Sequence, residues 1–199
     1  MSSLNRPGRR RLGRRRLVAV AAALLVTALA AGCSGNANAD SGGPTHPTGT
    51  PTRQPAALSG GACQLLDYDI IEAAIGVRFA VAAAATNAAT FTCVVQPGDA
   101  GLPDLSLAVT ATEADMSVFR STVIPKGATT IEDLGKIGYR AGAPASAAAG
   151  PGLEVGWLSG NQRLMVLRYR SATGTAQGDV DAMAPKLVDL AKKIDLTTS

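Results

Sequence analysis

The side chains in this 199-residue chain with the most distinctive chemistry are its three cysteines, and their surroundings differ. Cys33 closes the run Leu29-Ala30-Ala31-Gly32-Cys33, behind an apolar segment and an arginine-rich head. The residues just before it, Ala30, Ala31 and Gly32, are all small. Cys63 and Cys93 stand 30 positions apart in the more regular part of the chain, an even pair that reads as a disulfide in an exported protein. Such a loop restricts the unfolded chain by about 3–4 kcal/mol on a model-dependent scale. Carboxylates recur in pairs at Asp67/Asp69, Glu113/Asp115, Glu132/Asp133 and Asp179/Asp181. Paired acids can do general acid–base work, but each pair falls at an expected helix start or turn. There a carboxylate satisfies free N–H groups and the helix dipole. The only histidine, His46, lies among Pro, Gly and Thr residues outside the regular region, which leaves that region without an imidazole base or ligand. No catalytic, cofactor-binding or metal-binding residue is assigned, and no cofactor is expected.

The residues up to Cys33 resemble a bacterial lipoprotein signal, which implies cleavage between Gly32 and Cys33 and acylation of Cys33. Seven arginines lie between Arg6 and Arg16, and Leu17 to Gly32 is an Ala/Leu/Val run of 16 residues. As a helix that run reaches about 24 Å, short of the ~30 Å hydrocarbon core. A non-lipidated secretory peptide cut near the same place and an uncleaved anchor are the alternatives, and Arg14-Arg15-Arg16-Leu17-Val18 also fits a twin-arginine export pattern. The expected location is the outer face of the cell membrane, with the membrane itself reached through the lipid on Cys33.

Loss of residues 1–32 would reverse the charge. The whole chain is +4, but without those seven arginines 12 basic side chains face 15 acidic ones, a net −3. No net positive charge then remains to neutralise phosphates, which excludes nucleic acid as a partner. Residues 33–62 read as the lipidated cysteine and a linker, because Gly, Ser, Thr, Pro, Asn and Ala leave Leu58 as the one large apolar residue after Cys33. Thr45, Thr48, Thr50 and Thr52 among prolines resemble an O-glycosylated stalk, with a bare tether the alternative.

Residues 63–199 hold the folded domain. Asp67 to Ile75 is a helix with acids at its start and Gly76 as its stop. Val77 to Ala82, Thr90 to Val95 and Leu105 to Thr110 read as strands, and Thr112 opens a second helix. Ile131 to Tyr139 is an extended region, followed by an Ala/Gly/Pro loop from Arg140 to Pro151. Glu154 to Leu158 and Arg163 to Tyr169 form a hairpin. Val180, Met183, Ala184, Leu187, Leu190, Ala191 and Ile194 trace the stripe of a final helix, with Pro185 placed in its first turns. The fold class is α+β: a single domain in the order α-βββ-α-βββ-α, its antiparallel sheet of five to six strands covered on one face by helices.

Cys63-Gln64-Leu65-Leu66-Asp67 opening a helix that ends Ala74-Ile75-Gly76, with Thr92-Cys93 in a following strand, resembles small actinobacterial secreted lipoproteins of unknown function. Leu134-Gly135-Lys136-Ile137-Gly138 stands where that family carries a Gly-x-Gly-like turn, at a different spacing. Extracellular sensor domains of some mycobacterial kinases look broadly similar. The resemblance implies an envelope-exposed binding or accessory domain and supplies no catalytic residue.

Two partners follow as expectations: another envelope protein, or a lipid or glycolipid. Trp157, beside the hairpin turn, is a core residue or a partner contact, whereas Phe79, Phe91 and Phe119 are expected in the core. Phe79 to Ala89 and Ala141 to Gly150 are uncharged and alanine-rich, and would either border an apolar cavity or pack closely.

Overall fold

The computed structural model describes residues 53–98 and 100–198. The signal residues, Gly32, Cys33, His46 and the linker threonines lie outside them. Among the described residues, no helix is long and apolar enough to cross a membrane.

The domain begins earlier than composition predicts. Residues 53–62, read as linker, already touch the fold through two short 3-10 turns, Ala56–Ser59 and Gly61–Leu65. Ala56 and Ala62 are buried, and the Arg53 guanidinium lies 4.4 Å from the Tyr68 ring centre while reaching Asp69 and Glu72 at 3.1 and 3.4 Å. Helix α1 (Tyr68–Ile75) follows, and its ends are set by the residues that sequence reasoning chose. The Asp67 carboxylate accepts from the backbone N–H groups of Asp69 and Ile70 at 2.8 and 3.0 Å, and Gly76 turns out of the helix at φ 75°.

Seven antiparallel strands form one sheet: β1 (Val81–Asn87), β2 (Thr90–Gln96), β3 (Asp104–Ala111), β4 (Thr129–Ile131), β5 (Ile137–Ala143), β6 (Gly152–Leu158) and β7 (Arg163–Arg170), in spatial order β1-β2-β3-β7-β6-β5-β4. The α+β class holds, but the strand count and order differ from expectation. The predicted strand at Val77–Ala82 begins instead at Val81, the region before Tyr139 divides into β4 and β5, and β5 extends into the predicted loop as far as Ala143. The second helix shrinks to one turn, α2 (Met116–Val118), continued as a π turn over Phe119–Val123. Helix α3 (Gln177–Thr198) starts before the predicted stripe, so Pro185 sits in its interior.

Alternation sorts the strands onto two faces. Phe91, Cys93, Val95, Leu105, Leu107, Val109, Val155, Trp157, Met165 and Leu167 share one face by register. Most of that face is buried with α1 and with Val180, Ala184, Leu187, Leu190, Ala191 and Ile194 of α3. At about 25 cal/mol per Å² of apolar surface, this core is the main stabilising term. The opposite face is not left bare, contrary to a sheet covered on one side only. Phe119 from the π turn packs there with Ile137, Tyr139 and Leu158, its ring centre 6.0 Å from that of Tyr139.

Candidate functional site

The disulfide is formed: Cys63 and Cys93 are bonded at 1.96 Å with Cα atoms 4.9 Å apart. It ties the second 3-10 turn to β2 and takes both thiols out of nucleophilic chemistry. Trp157 is fully buried, and its indole N–H donates to Asp195 Oδ1 at 2.9 Å, which places it in the core rather than at a contact surface. Phe79 and Phe119 are also buried. Phe91 departs from expectation at 46% exposed. It shares the core face with Cys93 and Val95, but it stands in the first turnward row of β2, where the 3-10 turn only partly covers the sheet.

Six of the eight paired carboxylates hold structural positions. Asp67 caps α1, Asp115 accepts from the Val118 N–H at 2.8 Å, and Asp181 accepts from Gln177 at 2.8 Å. Asp69 pairs with Arg53, Glu132 with Arg120 at 3.3 Å, and Asp133 with Lys192 at 2.6 Å. The Lys192 hydrogen bond, reinforced by its charge, holds the Asp133 carboxyl below its usual range. Among the described residues, no group of three or more His, Cys, Asp or Glu side chains could hold a metal ion.

Two polar clusters escaped the sequence reading. Asp104, 1% exposed, is bound by both forks of Arg170, with Nε at 2.9 Å from Oδ1. The pairing holds the Arg170 proton more tightly than usual. Across the sheet the Tyr139 hydroxyl donates to Glu154 Oε1 at 2.5 Å, and Glu154 is bridged in turn by Arg168. Burial first, and then the Glu154 carboxylate, push the Tyr139 phenol well above its ordinary pKa, so it remains a donor. Gly156 makes room for the ring, since a Cβ there would come 2.5 Å from Tyr139 Cε1 and Cζ. Glu154 stands directly opposite Arg168 in the β6–β7 register, so the cross-strand charge pair was legible once that hairpin was recognised.

The concavity with the chemistry of a contact site is an open groove of about 350 Å³ between the second 3-10 turn and the turnward ends of β2, β3 and β7. Ala62, Leu65, Phe91, Val109 and Ala111 give it an apolar lining, and Arg163 stands at its side. The Arg163 guanidinium makes no ion pair or hydrogen bond among the described residues. A larger cleft of about 550 Å³ between β4 and α3 is acidic, with Glu132, Asp133, Asp181 and Asp189 around Arg140. Two of its four acids are already bound to Arg120 and Lys192. Comparison of the chain with protein-family models, curated proteins and solved structures finds no match to any of them.

Proposed function

We propose that this protein is a lipid-anchored lipoprotein of the cell envelope, held on the outer face of the cell membrane through Cys33. Its domain is a non-catalytic binding module for another envelope protein. The anchor rests on the sequence around Cys33 and on the resemblance to small actinobacterial lipoproteins. The binding role is carried by the Phe91 groove. A half-exposed aromatic ring in a concave apolar setting beside an unpaired guanidinium is the combination that dominates interface free energies. A partner would place an apolar side chain against Phe91 and a carboxylate near Arg163.

The second reading is a carrier or binder of a lipid or glycolipid, favoured by the groove's apolar lining. Its volume stands at the small end of the roughly 300–1,000 Å³ common for ligand sites. One experiment on the full-length protein separates the two. A photoreactive residue replacing Ala111 should give a protein adduct at the membrane, and Phe91→Ala should weaken that adduct about tenfold, as expected for loss of an interface anchor worth more than ~1 kcal/mol. Lipid retained on the purified protein in native mass spectrometry, without a protein adduct, would replace the first reading by the second. For the anchor, Cys33→Ala should leave unlipidated precursor; unchanged mass and membrane retention would remove it.

A further inference from the structure

The β1 edge of the sheet carries no charged side chain. From Phe79 to Gly98, twenty consecutive residues contain no Asp, Glu, Lys, Arg or His, and they form the β1–β2 hairpin at the border of the sheet. Natural sheets guard such borders with charges, prolines, bulges or very short strands. Strand β1 has seven residues, Val-Ala-Ala-Ala-Ala-Thr-Asn, and pairs with β2 in unbroken register from Val81 to Asn87, after a bulge-like start where the Ala80 N–H also donates to the Gln96 carbonyl at 2.9 Å.

Two observations fix which backbone groups face outward. The Ser59 hydroxyl donates to the Ala82 carbonyl at 3.0 Å, so that carbonyl points away from β2. At the other end Asn87 and Thr90 close a two-residue turn, the position at which opposed residues bond each other. By alternation Ala82, Ala84 and Thr86 turn their N–H and C=O groups outward. Ser59 covers the first, leaving Ala84 and Thr86 open.

We infer that the open half of β1 pairs antiparallel with β1 of a second copy of this chain, about a two-fold axis at Ala85. In that register Ala84 of each copy lies opposite Thr86 of the other and exchanges both N–H···O bonds with it, four bonds in all. Ala85 faces Ala85, and the pairing stops before Ala82. A self-complementary two-fold contact is the commonest form of assembly, and small uncharged side chains bring neither repulsion nor bulk to it. The contact is far smaller than the ~1,200 Å² of a stable interface. It therefore depends on anchoring, which resting on the lipoprotein reading above confines the copies to one surface and raises their effective concentration toward the millimolar range.

The test is disulfide trapping in the full-length, anchored protein. Residues facing each other across a non-hydrogen-bonded pair have Cβ atoms about 4.5–5.5 Å apart, near disulfide reach. Ala85→Cys should give a covalent dimer on a non-reducing gel. Ala83→Cys, on the same strand and face but about 13 Å from its counterpart at ~3.4 Å per residue, should stay monomeric. Thr86→Lys added to Ala85→Cys should cut the dimer at least tenfold. A monomer with Ala85→Cys in protein that is retained at the membrane, or equal dimer at both positions, would overturn the pairing. If Cys33→Ala leaves membrane retention unchanged, the anchor reading fails separately, and the Ala85/Ala83 contrast still decides the pairing.

Discussion

The two borders of the sheet follow opposite rules. At one, β4 has three residues, and Glu132 and Asp133 follow it directly. Those acids bind Arg120 from the turn after α2 and Lys192 from α3, so charged side chains and a helix close that border. At the other, β1 is longer, uncharged and rich in alanine, with the Ser59 hydroxyl and the two 3-10 turns as its cover. The first border is built to refuse an added strand, and the second lacks the same protection. Fold stability makes no use of that difference, because β1 adds little buried surface of its own: all but Ala82 of its residues are exposed. A border that contributes little to the core is free to be specified by what it meets.

Breaking each border's support gives a graded set of expectations. Cys93→Ser should have the largest effect, a loss of about 3–4 kcal/mol for a loop of this length. Denaturant midpoints of oxidised protein would show it, and a loss under ~1 kcal/mol would mean that packing alone holds the β1 side. Gly156→Ala, toward the closed border, should cost about 1–3 kcal/mol by driving a methyl group into the Tyr139 ring. Near-wild-type stability there would show that the ring can move aside. The smallest effect belongs to Asp133. Its folded pKa lies below the ordinary value, so its contribution is present above the ordinary carboxylate range and is lost as pH falls through the folded value. Lys192→Ala should return the Asp133 carboxyl titration toward the ordinary range in an NMR experiment; an unmoved titration would contradict the pairing.

Much of the fold was legible where local chemistry and global packing agree. Asp67 and Gly76 bracket α1 because a cap and a left-handed stop need little tertiary context. The β6–β7 hairpin shows in its alternation, and the Cys63–Cys93 bond was expected from an even pair on the reading of an export signal. Other elements depended on contacts that sequence does not display. The alanines of β1 have no strand preference, and β2 recruits them. Pro185 is tolerated inside α3, whose long buried stripe outweighs the missing N–H. Residues 53–62 have a linker's composition, yet Ala56 and Arg53 find a buried site and an aromatic face. The Phe91 groove was hidden because four separate segments build it, and Phe91 was expected in the core with Phe79 and Phe119.

The stack of Arg53 on Tyr68 also determines where load enters the domain. Tension arriving along the chain from its N-terminal side meets that guanidinium clamp on α1 before it reaches any strand. If the clamp yields, the 3-10 turns can peel away only as far as Cys63. There the covalent bond passes the pull sideways to Cys93 in β2, one strand inside the border. The length that can be drawn out of the fold from that side is thereby limited to the residues before Cys63.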